Sequence, residues 1–134
     1  MNITSFSELL VAAQTQQTQQ QLLLVFAKAE LPEDSTDAQR AGYEAGEGGA
    51  LTPVVCVDKN AQELTSFESL CSEAAEFAPE WDILFAGVMG ALPGQILKDE
   101  DIDQKMQEVM EWIKIGKIEK LATFDREGSA VNLR

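Results

Sequence analysis

Carboxylates that follow apolar, strand-like segments are the side chains of this sequence best suited to chemistry. Asp58 and Lys59 come directly after one such segment, and Asp125 and Arg126 come directly after another. Carboxylate oxygens are the ligands that Mg²⁺ prefers, and a carboxylate with a raised pKa can act as a general base. Asp58 and Asp125 are therefore the catalytic candidates, with Glu30 as a third carboxylate. An Asp after a strand also commonly begins a turn or caps a helix, which is the alternative interpretation.

Histidine chemistry is excluded because the chain has no histidine. A Ser-His-Asp triad, a Cys-His pair and a histidine-ligated metal all require that residue. The two cysteines, Cys56 and Cys71, are too few for a four-cysteine zinc site and lack the C-x-x-C spacing of a redox pair. Our leading interpretation has no metal and no cofactor, and it makes Cys56 a small core residue within an apolar segment.

A second candidate site lies in the glycine-rich, acidic segment of residues 30–50. Its candidate binding residues are Glu44, Glu47, Gly48 and Gly49, because a long irregular segment in a small domain is often a binding loop. The segment lacks the lysine of a phosphate-binding loop, and its glutamates repel phosphate. A connector without a binding role is the alternative interpretation.

Patterns of apolar residues predict the elements that position these side chains. Capping patterns predict helices that begin near Ser5 and near Thr65, and an apolar period predicts another from Ile102 to Ile113. The Gln-rich residues 14–21 are predicted to be a connector, with a polar helical end as the alternative. Apolar runs predict strands at residues 22–26, 54–57, 81–86 and 118–124.

The alternation of strand and helix predicts how these elements are arranged. A strand, a helix and a second strand form a crossover that makes parallel neighbours. We therefore predict one α/β domain over residues 1–134, with about four mostly parallel strands and helices packed on the sheet. The carboxyl ends of parallel strands meet at one edge, so we expect Asp58 and Asp125 to share a rim.

The charge of the chain restricts its partners. The chain has 134 residues, with 10 basic and 23 acidic side chains and a formal net charge of −13. This charge repels nucleic-acid phosphates and anionic headgroups, and the apolar runs are too short to span a bilayer. We therefore expect a cytoplasmic protein that binds neither nucleic acid nor membrane. Five of the basic side chains fall between Lys114 and Arg134. This asymmetry indicates a solvated surface with uneven charge, and the alternative is that it orients the molecule toward a partner.

Three segments together resemble a family of small proteobacterial proteins of unknown function: LLLVFAKAELPEDSTDAQRAGYEAGEGGALTPVVCVDK, WDILFAG and KIEKLATFDREG. The resemblance covers most of the chain and implies a bacterial cytoplasmic protein. Members of that family often carry the label ribonucleotide reductase subunit alpha. That catalytic subunit is far longer and needs a radical-bearing cysteine and a reducible cysteine pair, a pattern that Cys56 and Cys71 do not match. We carry over no catalytic residue from it.

The sequence favours a non-enzymatic binding or protein-interaction module that acts through a protein partner or by self-association. The absence of histidine, the absence of a phosphate-binding loop and the acidic charge lead to this hypothesis. The alternative is a small carboxylate-based enzyme, Mg²⁺-dependent, in which Lys59 or Arg126 holds an anionic small molecule. An accessory role beside ribonucleotide reductase is a third hypothesis, which comes from the family label alone.

Overall fold

The fold was described from a computed structural model, over residues 3–30, 50–115 and 117–131. Side chains at positions 29, 30, 50 and 51 are not described. In these ranges the chain forms three helices and four strands: α1 (Phe6–Gln14), β1 (Gln20–Glu30), β2 (Ala50–Asn60), α2 (Phe67–Ala75), β3 (Ile83–Gly90), α3 (Asp99–Lys114) and β4 (Ala122–Phe124). None of the described helices has the length and apolar content to cross a membrane.

The four strands form one sheet in the order β2-β1-β3-β4, and every pair of neighbours is antiparallel. The prediction of mostly parallel strands is therefore wrong. β2 and β3 do run in the same direction, as the crossover through α2 requires. They are not neighbours, however, because β1 lies between them and runs opposite to both. Strand and helix alternation in the sequence cannot reveal such an inserted strand.

β1 is the centre of the sheet and is covered on both faces. Leu22, Leu24 and Phe26 point to the face covered by α1 and α2, whereas Leu23 and Val25 point to the face covered by α3. Successive side chains of a strand alternate between faces, so a strand buried on both sides needs an unbroken apolar run. The apolar run from Leu22 predicts this arrangement, and the structure confirms it.

Helix capping follows the sequence closely. The Ser5 hydroxyl caps α1 by accepting a hydrogen bond from the Glu8 backbone N–H at 3.2 Å. At α2 the cap is Ser66, one residue later than the predicted Thr65, and its hydroxyl accepts from the Ser69 N–H at 3.1 Å. Each cap satisfies a backbone donor that would otherwise have no partner within the helix.

Aromatic side chains join α1 and α2 to β4, an edge strand of the sheet. The Phe6 ring of α1 lies 5.4 Å from the Phe67 ring of α2 and 5.6 Å from the Phe124 ring of β4. Phe6 and Phe124 are fully buried. Packed aromatic pairs stabilise a core beyond the area that they bury, so this cluster fixes both helices on the sheet.

Candidate functional site

The antiparallel sheet places Asp58 and Asp125 at opposite corners. Asp58 lies on β2 opposite Leu23, and Asp125 follows Phe124 of β4, at the other side and the other end of the sheet. Strand spacing and rise per residue put the two Cα atoms about 20 Å apart. The expected shared rim therefore does not form. Among the described residues, no group of three or more Cys, Asp or Glu is placed to hold a metal ion.

Each of the two aspartates has a structural partner. An Asp58 carboxylate oxygen accepts a hydrogen bond from the Gln21 side-chain amide at 2.7 Å. Asp125 Oδ1 accepts from the backbone N–H groups of Glu127 at 2.9 Å and Ser129 at 3.0 Å. The second arrangement is an aspartate-stabilised turn, which matches the structural interpretation of an Asp after a strand.

The two candidate cations also lie far apart and bind other groups. Lys59 Nζ lies 2.9 Å from Glu73 of α2 and joins that helix to β2. The Arg126 guanidinium donates to the Pro79 carbonyl at 3.1 Å and lies 5.6 Å from the Trp81 ring. Both side chains stabilise contacts between elements, and they lie at opposite edges of the sheet, so they do not meet around one anionic substrate.

The candidate binding residues Glu44, Glu47, Gly48 and Gly49 lie outside the described residues. The same is true of the rest of residues 31–49. Their predicted binding role stays a prediction.

The Gln-rich tract holds loops together, a role that the sequence did not suggest. The Gln14 amide donates to the carbonyls of Ala61 and Leu64, and Gln19 Oε1 accepts from the Leu97 N–H at 3.2 Å. An amide side chain can donate and accept at once, so it suits junctions where strand ends meet loops. The sequence does not show which glutamines make these hydrogen bonds, because neighbouring residues in the tract are nearly identical.

The two cysteines occupy different environments. Cys71 is a half-buried residue of α2, where burial raises the pKa of its thiol, the Glu68 charge raises it further and Arg126 partly opposes both. Cys56 is exposed, contrary to the expected core position. It lies opposite Val25, on the α3 face of β2, where β2 forms the outermost strand. An outermost strand is covered less completely than a central one.

The open side of β2 is the most unusual surface in the described part of the chain. β2 is 11 residues long and forms one edge of the sheet, and no other described strand pairs with its outer side. Val55 and Val57 pack against the core beneath the helices. Val54 is 41% exposed, and residues 51–57 (LTPVVCV) carry no charge. An uncharged edge strand offers free backbone donors and acceptors to another chain.

Comparisons with protein-family models, with curated proteins and with solved structures find no match for this chain. The family resemblance therefore stays a prediction, and the candidate site stands on its own geometry.

Proposed function

We propose that the protein is an interaction module that binds a protein partner by pairing an extended segment of that partner with the outer side of β2. The observation that carries the proposal is the 11-residue edge strand whose outer side has no strand partner among the described residues. In this binding mode, main-chain hydrogen bonds supply affinity and alternate side chains supply specificity.

The chemistry of β2 favours a segment with little charge. Exposed edge strands are usually protected by charged side chains, especially lysine, by proline or by a β-bulge. β2 has Pro53 and a register irregularity opposite Phe26 and Ala27, and it reaches charged residues again at Asp58 and Lys59. Val54 is the residue that this irregularity leaves without a partner in β1, and residues 54–57 are apolar or sulfur-bearing. The partner segment is therefore expected to place β-branched or apolar side chains beside Val54 and Cys56.

The alternative carboxylate enzyme has no comparable geometric support. That hypothesis needs Asp58 and Asp125 near one reacting atom or one metal ion, and the sheet separates them by about 20 Å.

A single lysine on β2 tests the proposal. The Val54→Lys variant places a charge on the open edge, whereas Val11→Lys places the same charge on α1, where Val11 is 57% exposed and no sheet edge exists. Tagged wild type and both variants are incubated with lysate of the source organism, and recovered proteins are quantified. We expect Val54→Lys to lower recovery of a specific partner at least about tenfold and Val11→Lys to leave it unchanged.

The thiols supply a second readout on the same complex. Alkylation of exposed Cys56 is expected to slow when the partner is bound, whereas the rate at Cys71, on α2, stays the same. Equal recovery by all three proteins, no recovered partner, or an unchanged rate at Cys56 contradicts strand addition at β2. Circular dichroism confirms that each variant is folded before the comparison is made.

A further inference from the structure

The register between β1 and β2 shows which backbone groups of the open edge can bind a partner. The Ala61 N–H donates to the Gln20 carbonyl at 2.9 Å, and the register then continues without a break as far as Val55. Along an antiparallel pair, hydrogen-bonded residue pairs alternate with non-hydrogen-bonded ones. Counted from Ala61, Cys56 and Asp58 fall in non-hydrogen-bonded pairs, so their backbone N–H and C=O groups point away from β1. A partner strand therefore forms its main-chain hydrogen bonds at these two residues.

Asp58 adds a negative charge to this edge. It lies opposite Leu23, whose side chain faces α3, so the Asp58 side chain lies on the same face. Its carboxylate accepts a hydrogen bond from the Gln21 side-chain amide at 2.7 Å. An amide is a neutral donor, so this hydrogen bond does not cancel the charge. A partner residue paired with Asp58 shares its face of the sheet and lies beside the carboxylate.

α2 adds carboxylates on the other face of β2. Lys59 is the only lysine of β2, and its Nζ lies 2.9 Å from the Glu73 carboxylate, which neutralises it. Glu76 lies one helical turn after Glu73, on the same side of α2, and it is exposed. α2 itself contains no basic residue. The helix face near the edge therefore keeps an excess of negative charge.

Side-chain amides link the start of α3 to the same end of the edge. The Leu97 N–H donates to Gln19 Oε1 at 3.2 Å, and the Gln19 amide donates to Gln21 Oε1 at 3.4 Å. The Gln21 amide then donates to Asp58. Four exposed carboxylates follow at positions 99, 100, 101 and 103, against one lysine at position 98. Both faces of the sheet are thus acidic near the Asp58 end of β2.

The acidic character extends through the sequence around the edge. Residues 50–97 contain seven acidic side chains against one basic side chain, a difference of −6. A surface with this potential attracts positively charged segments and accelerates their association. It repels acidic segments, and it also disfavours a second copy of this chain, whose net charge is −13. Charge complementarity therefore selects a basic partner.

We propose that the segment bound at β2 is basic where it lies beside Asp58 and apolar where it lies beside residues 54–57. This inference rests on the proposed strand addition at β2 and specifies the chemical class of the partner. Antiparallel pairing is the more stable arrangement per residue, so the lysines or arginines precede the apolar residues in the partner sequence. A lysine opposite Asp58 has its Cα about 5.5 Å away, and its side chain can reach the carboxylate.

Peptides that differ only in charge test the partner class on the full chain. Each labelled peptide has a core of alternating threonine and valine, preceded by two lysines, two glutamines or two glutamates. Fluorescence anisotropy gives the dissociation constants at about 0.05 M and about 0.5 M salt. At low salt we expect the lysine peptide to bind at least about fivefold tighter than the glutamine peptide, and the glutamate peptide to bind weakest. At high salt the differences are expected to fall below about twofold, because exposed charges are screened.

A fourth peptide tests the direction of the bound strand. It carries the two lysines after the threonine and valine core instead of before it. In the antiparallel arrangement its lysines lie beside the apolar end of β2, so we expect it to bind no tighter than the glutamine peptide. Tighter binding than the peptide with its lysines first overturns the antiparallel direction.

Two double variants locate the charges that matter. Asp58→Asn with Glu76→Gln removes two charges beside β2, and Asn at position 58 still accepts a hydrogen bond from Gln21. Glu119→Gln with Glu127→Gln is the matched control, because it changes the net charge equally near the β4 edge, where both glutamates are exposed. We expect the first pair to weaken the lysine peptide at least about threefold and to leave the glutamine peptide within about twofold. The control pair is expected to leave both peptides within about twofold.

The glutamine peptide separates this inference from the proposed function. Val54→Lys is expected to weaken the lysine and the glutamine peptides alike, because it blocks the edge itself. Equal affinity for all three charge types, with sensitivity to Val54→Lys, leaves strand addition at β2 intact and overturns the basic partner. Equal weakening of the lysine peptide in both double variants also overturns it, because the net charge of the chain then accounts for the preference. So does a lysine peptide that does not bind.

Discussion

The two edge strands of the sheet differ in length and in how they are covered. β4 has three residues, and the chain after it folds back over its outer side: the Val131 N–H donates to the Thr123 carbonyl at 2.9 Å, and the Ala130 N–H donates to the Thr4 carbonyl at 2.9 Å. β2 has 11 residues, and no described segment pairs with its outer side.

This difference shows that the fold protects an edge where stability depends on it. The β4 edge adjoins the buried rings of Phe6 and Phe124, so opening it exposes core aromatics. The open side of β2 presents Val54 and Cys56, both exposed already. Free backbone groups on a long edge favour unwanted association and are usually blocked. No described residue pairs with them at β2, which is consistent with a binding role for that edge.

The largest expected effect contrasts a core residue of β4 with a surface residue of β2. Truncating Phe124 to alanine removes a fully buried ring and its edge-on contact with Phe6, so we expect a loss of about 3–5 kcal/mol in the free energy of unfolding. Truncating Val54 to alanine is expected to change it by less than about 1 kcal/mol. Urea unfolding of both variants measures the contrast. Similar losses contradict the assignment of β4 as the structural edge and β2 as the binding edge.

A smaller effect is expected at the turn that closes the β4 edge. Gly128 has a φ of 82°, and a Cβ there lies 3.1 Å from Cδ2 of Phe67. Gly128→Ala is expected to cost about 1–3 kcal/mol, from left-handed strain and from displacement of the Phe67 ring. Gly94→Ala is the matched control, because Gly94 has a φ of 79° and open space around its Cα. The Gly94→Ala variant has the backbone strain and no contact with Phe67. If both variants lose the same free energy of unfolding in urea, the contact with Phe67 contributes nothing to the cost at Gly128.

The local elements of this fold are predictable from sequence because their signals are local. The apolar run at β1 indicates a strand covered on both faces, and the period from Ile102 to Ile113 indicates α3; the structure contains both. A capping serine begins α1 where Ser5 and Glu8 predict it. Each of these features depends on residues that lie close together in the sequence.

The neighbours of each strand depend on contacts between distant segments. β1 pairs on one side with β2, from Gln21 opposite Asn60, and on the other with β3, from Gln20 opposite Gly90. No local pattern distinguishes this insertion of β1 from a parallel crossover. The wrong prediction of parallel neighbours also made the predicted site wrong, because a rim shared by Asp58 and Asp125 required parallel strands. The exposure of Cys56 was missed for the same reason, because an edge position is a property of the sheet.

The smallest effect is expected at Glu8, which supports the covered edge from the side of α1. Its carboxylate accepts from the Thr4 N–H at 2.7 Å and from the Thr4 hydroxyl at 2.8 Å. These hydrogen bonds hold the pKa of Glu8 below its ordinary value. Thr4 in turn accepts the hydrogen bond from Ala130 that covers β4. We therefore expect Glu8→Gln to weaken the cover of β4 slightly at neutral pH.

The sign of the pH dependence follows from the lowered pKa. A carboxylate that is easier to ionise in the folded state stabilises the fold above its unfolded pKa, and this contribution disappears as the pH falls through the folded pKa. The difference in thermal midpoint between wild type and Glu8→Gln is therefore expected at about pH 7 and is expected to shrink as the pH falls below the ordinary pKa of a glutamate. Amide exchange at Ala130 is expected to be faster in the variant at neutral pH, while exchange along β2 stays the same. A midpoint difference that persists in acid means that Glu8 acts through packing instead, and the covered edge then does not depend on this charge.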